Sequence, residues 1–170
     1  NFGPTGSNFL HSVTYGPSGS TSKYNATDCE VTESNQKLSC NTVVGVGKDL
    51  RVEVQFGKEA TMGVSTVISS SSQTIKYAAP SITGASISST IGGTLTISGS
   101  NFGKASFGNP VVSFGKNGNE IAVGASACSI TTENTEIQCS PVPDGAGGSG
   151  MKVQVEIGGQ TVVSASLLQY

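Results

Sequence analysis

Gly93-Thr94-Leu95-Thr96-Ile97-Ser98-Gly99-Ser100-Asn101-Phe102-Gly103 is the stretch from which the fold can be read. Leu95 and Ile97 alternate with small polar residues, the period of a half-buried β-strand whose successive side chains face opposite ways. Asn101-Phe102-Gly103 then ends the strand in a turn. The same tripeptide occurs as Asn1-Phe2-Gly3, and from there two copies run in parallel. Val13-Thr14-Tyr15-Gly16 matches Val112-Ser113-Phe114-Gly115, Cys29 matches Cys128, and Leu38-Ser39-Cys40 matches Ile137-Gln138-Cys139, all at one constant offset. After a two-residue slip, placed in a loop where insertions are tolerated, Leu50 to Gly57 matches Met151 to Gly158. The copies end alike at Tyr77 and Tyr170. Self-similarity of this kind defines the folding unit.

Composition agrees with two small β domains. The chain has 170 residues, 23 Gly, no Trp and only 12% charged residues, with abundant Ser and Thr. This suits short strands joined by tight turns. Val52, Val54 and Phe56 alternate with Arg51, Glu53 and Gln55, and Val153, Val155 and Ile157 repeat the pattern. No helical stripe of apolar residues stands out. We therefore expect an all-β chain of two tandem immunoglobulin-like sandwiches, residues 1–78 and 79–170, each of several short antiparallel strands.

The residues that carry this reading also resemble a known family. Pro80-x-Ile82, the Gly93 to Gly103 stretch, Val112-x-Phe114-Gly115, Ile137-x-Cys139-x-Pro141 and Val153-x-Val155 look like an IPT/TIG domain. This is the immunoglobulin-like module of plexins, some transcription factors and large cell-surface proteins. Residues 1–78 resemble the module from the Asn1-Phe2-Gly3 turn onward. They differ in lacking the proline entry and the Leu-x-Ile strand, and in having Thr42 where the second copy has Pro141. The first sandwich is thus expected to lack its N-terminal strands within this chain. The counterparts of Ile82, Ile87, Leu95 and Ile97 would each contribute about 1.5 to 3 kcal/mol when buried, a sum comparable to the whole stability of a domain. Residues 1–78 should therefore contact a segment outside their own copy. Asn1, Phe2, Gly3, Val52, Val54 and Phe56 are the candidate assembly edge.

The four cysteines speak to compartment. Ten residues separate Cys29 from Cys40 and ten separate Cys128 from Cys139, a spacing that suits a clip across neighbouring strands. A metal site would want closer pairs or histidine partners, and His11 is the single histidine. Two disulfides within the copies are expected, each worth about 3 kcal/mol in the chain-entropy picture, in an oxidising, extracellular or cell-surface setting. No membrane-length apolar run is present in the sequence. Asn25-Ala26-Thr27 is a sequon for an N-linked glycan. The serine-rich stretches Ser18 to Ser22 and Ser69 to Thr74 read as flexible polar loops rather than O-glycan carriers.

Catalytic signals are weak. Gly145-Ala146-Gly147-Gly148-Ser149-Gly150 spells G-x-G-x-x-G, but Pro141 and Pro143 precede it and a strand follows, so it reads as a turn rather than a phosphate loop. His11 has neither a nucleophile motif nor an acid partner. Asp28, Glu30 and Glu33 lack the ligand density of a calcium loop. No cofactor, no metal and no enzymatic activity are expected. DNA binding calls for a basic surface, whereas 9 Lys and Arg face 11 Asp and Glu, with Arg51 the one arginine; no nucleic acid is expected.

The expected role is extracellular assembly. In this reading the chain is a repeat or protomer of a surface filament or adhesive rod, and its partners are other copies of the chain or neighbouring repeats of a longer protein. Alternatives are a ligand-binding receptor ectodomain or, more weakly, a carbohydrate-binding module, for which only Tyr15, Tyr24, Tyr77 and Tyr170 are available as tyrosine platforms.

Overall fold

A computed structural model of the chain describes residues 2–6, 10–56, 67–88, 93–124, 126–143 and 150–165, with the side chains at 10, 11 and 67–71 outside the description. Among the described residues the regular elements are β-strands, apart from one 3-10 turn at Ala105–Phe107. The chain divides into two compact units. The first comprises Asn1–Val44 and Lys48–Lys76, the second Gly45–Gly47 and Tyr77–Tyr170.

The second unit is a complete two-sheet sandwich. Its strands are β7 (Ser81–Ile87), β8 (Leu95–Ser100), β9 (Val111–Gly115), β10 (Ile121–Ala122), β11 (Cys128–Thr132), β12 (Glu136–Cys139), β13 (Lys152–Ile157) and β14 (Gln160–Val163), numbered to follow the six strands of the first unit described below. One sheet has the order β10-β9-β13-β14 and the other β11-β12-β8-β7. The alternation read from the sequence is what closes them. Leu95, Ile97, Ile137, Phe114, Val153 and Val155 are all fully buried, while Glu156 of β13 faces solvent. Both sheets therefore send alternate residues into one core, which also holds Val46, Phe102 and the disulfide.

The first unit repeats half of this plan in full and half in part. Its strands are β1 (Leu10–Gly16), β2 (Tyr24–Asn25), β3 (Thr27–Glu33), β4 (Lys37–Asn41), β5 (Leu50–Phe56) and β6 (Val67–Ile75). They form the sheet β2-β1-β5-β6 and the hairpin β3-β4, and Ser69 to Thr74, expected as a flexible loop, instead belong to β6, which pairs with β5. Register is kept between copies: Tyr15 lies opposite Val52 and Val13 opposite Val54, as Phe114 lies opposite Val153 and Val112 opposite Val155. In the hairpins, Val31 faces Leu38 as Ile130 faces Ile137.

Both expected disulfides are present, Cys29–Cys40 with Cα atoms 4.1 Å apart and Cys128–Cys139 with 4.0 Å. Cys128 and Cys139 face each other across β11-β12, whereas Cys29 lies in the irregularity between Thr27 and Glu30 of β3 and reaches Cys40 of the adjacent strand from there. No cysteine is free.

Candidate assembly site

The β3-β4 hairpin is the counterpart of β11-β12, but the two end differently. In the second unit β12 pairs on its other side with β8, with Ile137 opposite Ile97 and Cys139 opposite Leu95. In the first unit β4 pairs with β3 alone among the described residues. Its outer edge therefore presents a row of backbone N–H and C=O groups with no strand beside them among the described residues. An edge of this kind is a template for pairing with another chain segment.

Beneath that edge lies a cavity of about 500 Å³, lined chiefly by apolar side chains that include Phe2, Val13, Tyr15, Leu38, Val52 and Val54. Burial values show what it lacks. Val52, Val54 and Leu38 are only partly buried, whereas their counterparts Val153, Val155 and Ile137 are 0% exposed. Leu95 and Ile97 of β8 belong to the same core as these three in the second unit. The first unit carries the receiving half of that core without an occupant among its described residues.

A conserved-geometry turn marks where the edge ends. Asn134 donates its backbone N–H to the Gly103 carbonyl at 2.7 Å, and the Gly103 N–H donates to Asn134 Oδ1 at 3.4 Å. The first unit repeats both bonds, from Asn35 N–H to the Gly3 carbonyl at 2.7 Å and from Gly3 N–H to Asn35 Oδ1 at 3.1 Å. Gly3 and Gly103 have φ of 84° and 76°, a left-handed conformation that glycine adopts without steric cost. In the second unit the strand that enters this turn is β8, and Gly99 N–H donates to the Thr135 carbonyl at 2.9 Å on the way in.

Of the residues singled out from the sequence, Phe2, Val52 and Val54 line the cavity. Gly3 anchors the turn, and Phe56 stacks on Phe2 with ring centroids 5.9 Å apart. Asn1 lies outside the described residues, as do Gly145 to Ser149, Tyr170 and the side chain of His11. The sequence reading passed over Leu38, Val13 and Tyr15 as cavity residues. Their signal was available, since each matches a core residue of the second copy. The Tyr15 hydroxyl accepts the Val43 backbone N–H at 3.0 Å, which gives the buried phenol a polar partner.

The remaining polar residues form local contacts. Asn25 is exposed on β2, opposite Thr14 at the margin of its sheet. Asp28 Oδ2 accepts from Asn41 Nδ2 at 3.0 Å, and Lys37 pairs with Glu33 at 3.7 Å. In the second unit, the Asn117 backbone N–H, seconded by those of Glu120 and Asn119, holds the Glu120 carboxyl below the usual carboxylate range. Among the described residues no group of three or more His, Cys, Asp or Glu side chains is placed to hold a metal ion. No helix among them is long and apolar enough to cross a membrane. No curated protein matches the chain. The family model described as IPT/TIG domain matches residues 80–170.

Proposed function

Because the chain belongs to the IPT/TIG domain family, we propose that it is an extracellular interaction segment, a repeat or protomer of a surface filament or adhesive rod, whose first unit is completed by a strand from another segment or subunit. The observation that carries this reading is the edge of β4, unpaired among the described residues, lying over an apolar cavity. Exposed edges of this kind are normally covered, charged or twisted away in proteins that remain single, and strand addition is a recurrent mode of joining polypeptides.

Two disulfides favour an oxidising compartment. The exposed sequon asparagine, Asn25, then becomes an acceptor for an N-linked glycan. Asn25 lies on the marginal strand β2, in the sheet that does not contain β4. The role is binding rather than catalysis.

Imaging of the native material tests the reading directly. Fibres or tethered rods are expected, with a strand from elsewhere in density beside β4. Dispersed single molecules with nothing beside β4 would overturn it.

A further inference from the structure

We propose that the free edge of β4 takes up an extended polypeptide strand in one register, antiparallel to β4, with aliphatic side chains at alternate positions in the pattern of Leu95-Thr96-Ile97. This rests on the reading that the first unit is completed by an added strand, and it specifies that strand's chemistry and alignment.

The second unit supplies the template. Across β12, Ile97 faces Ile137, Thr96 faces Gln138, Leu95 faces Cys139 and Ser98 faces Glu136. The hairpins share register, so Leu38, Ser39, Cys40 and Lys37 stand at those four positions of β4. An incoming strand aligned in the same way sets one aliphatic side chain opposite Leu38 and a second opposite Cys40. Leu38 and Cys40 both line the cavity, so both aliphatic groups enter it. A shift by one residue would turn the aliphatic groups to solvent and the polar ones inward, so the register is fixed by the pattern.

Three further observations favour a strand over other occupants. A small apolar molecule could fill the cavity but would leave the backbone groups of β4 unpaired. The one charged residue of β4, Lys37, is paired with Glu33 of β3 and does not guard the outer edge. The turn at Gly3, bonded to Asn35, reproduces the turn into which β8 runs, so the position where such a strand must end is already formed.

The probe is a synthetic peptide with the sequence of Gly93 to Asn101, added to the intact chain. Its cysteine variants make the register readable, because the native chain has no free thiol. With each peptide thiol activated beforehand as a thiopyridyl disulfide, so that thiopyridone leaves on exchange, a chain carrying Ser39→Cys should form a mixed disulfide with the peptide carrying Thr96→Cys and not with the peptide carrying Ser98→Cys. A peptide with aspartate at both the Leu95 and Ile97 positions should bind roughly a hundredfold more weakly or worse, a comparison that leaves the protein unaltered. Capture by the Ser98→Cys peptide instead would overturn the register while leaving strand addition standing. Equal binding of the aspartate peptide, absence of any peptide binding, or disulfide-linked dimers of the Ser39→Cys chain through β4 would overturn the inference. Imaging of the native material would then decide separately whether the wider assembly reading survives.

Discussion

At the residue scale, one position in the repeat takes two values of burial, and that difference has an energetic meaning. Val155 and Val54 occupy the same place on matching strands, yet Val155 is fully buried and Val54 is only partly so. Truncating a fully buried valine removes two carbons from a closed core and leaves a void, so Val155→Ala should cost about 2 to 3 kcal/mol. Val54→Ala removes the same atoms from the wall of an open cavity and should cost roughly 1 kcal/mol or less. Denaturant titrations that follow signals from each unit separately would measure both. Equal costs would mean that the cavity is closed in solution. The family assignment does not bear on this comparison, which depends only on what covers each side chain.

At the element scale, β12 has a strand on both sides and β4, among the described residues, has one on a single side. Backbone amides of β4 that face outward should therefore exchange with solvent much faster than those of β12, which bond to β8. Amide exchange followed by NMR gives the comparison within one sample, and addition of the Gly93 to Asn101 peptide should slow β4 alone. Comparable protection in the two strands without peptide would count against a free edge. The strands themselves were legible in the sequence because alternation such as Val153-Gln154-Val155 reports a face directly. The hairpin disulfides were legible because equal spacing in two copies leaves little choice of partner. The cavity was less so. Val52 and Val54 could be read from periodicity and Phe2 from the repeated Asn-Phe-Gly turn, but Leu38, Val13 and Tyr15 enter it from strands whose pairing across the sandwich no local pattern encodes. The alignment of the copies matches them to Ile137, Val112 and Phe114, and the shared burial of those three in the second unit is what brings them together.

At the scale of the whole molecule, the two units have the same design but different completeness, so they should not unfold as one. The second unit surrounds its disulfide and both sheets with a continuous core. In the first, Cys29 and Cys40 are only partly buried, as are Val52 and Val54, which line the cavity with Cys40. Each unit has a comparable hairpin disulfide, so the cross-links limit the unfolded chain to a similar extent and cannot account for a difference in stability. Burial is then the deciding quantity. Four aliphatic side chains of β7 and β8, Ile82, Ile87, Leu95 and Ile97, have no counterpart among the described residues of the first unit, and at about 1.5 to 3 kcal/mol each they amount to a large share of the roughly 5 to 15 kcal/mol typical of a domain. Urea unfolding monitored by resolved NMR signals should give two transitions, with the first unit melting at lower denaturant. The Gly93 to Asn101 peptide should move that lower midpoint upward, because a ligand that binds only the folded form stabilises it by mass action. The upper midpoint should stay in place. A single coincident transition, unmoved by peptide, would mean that the first unit is already as complete as the second.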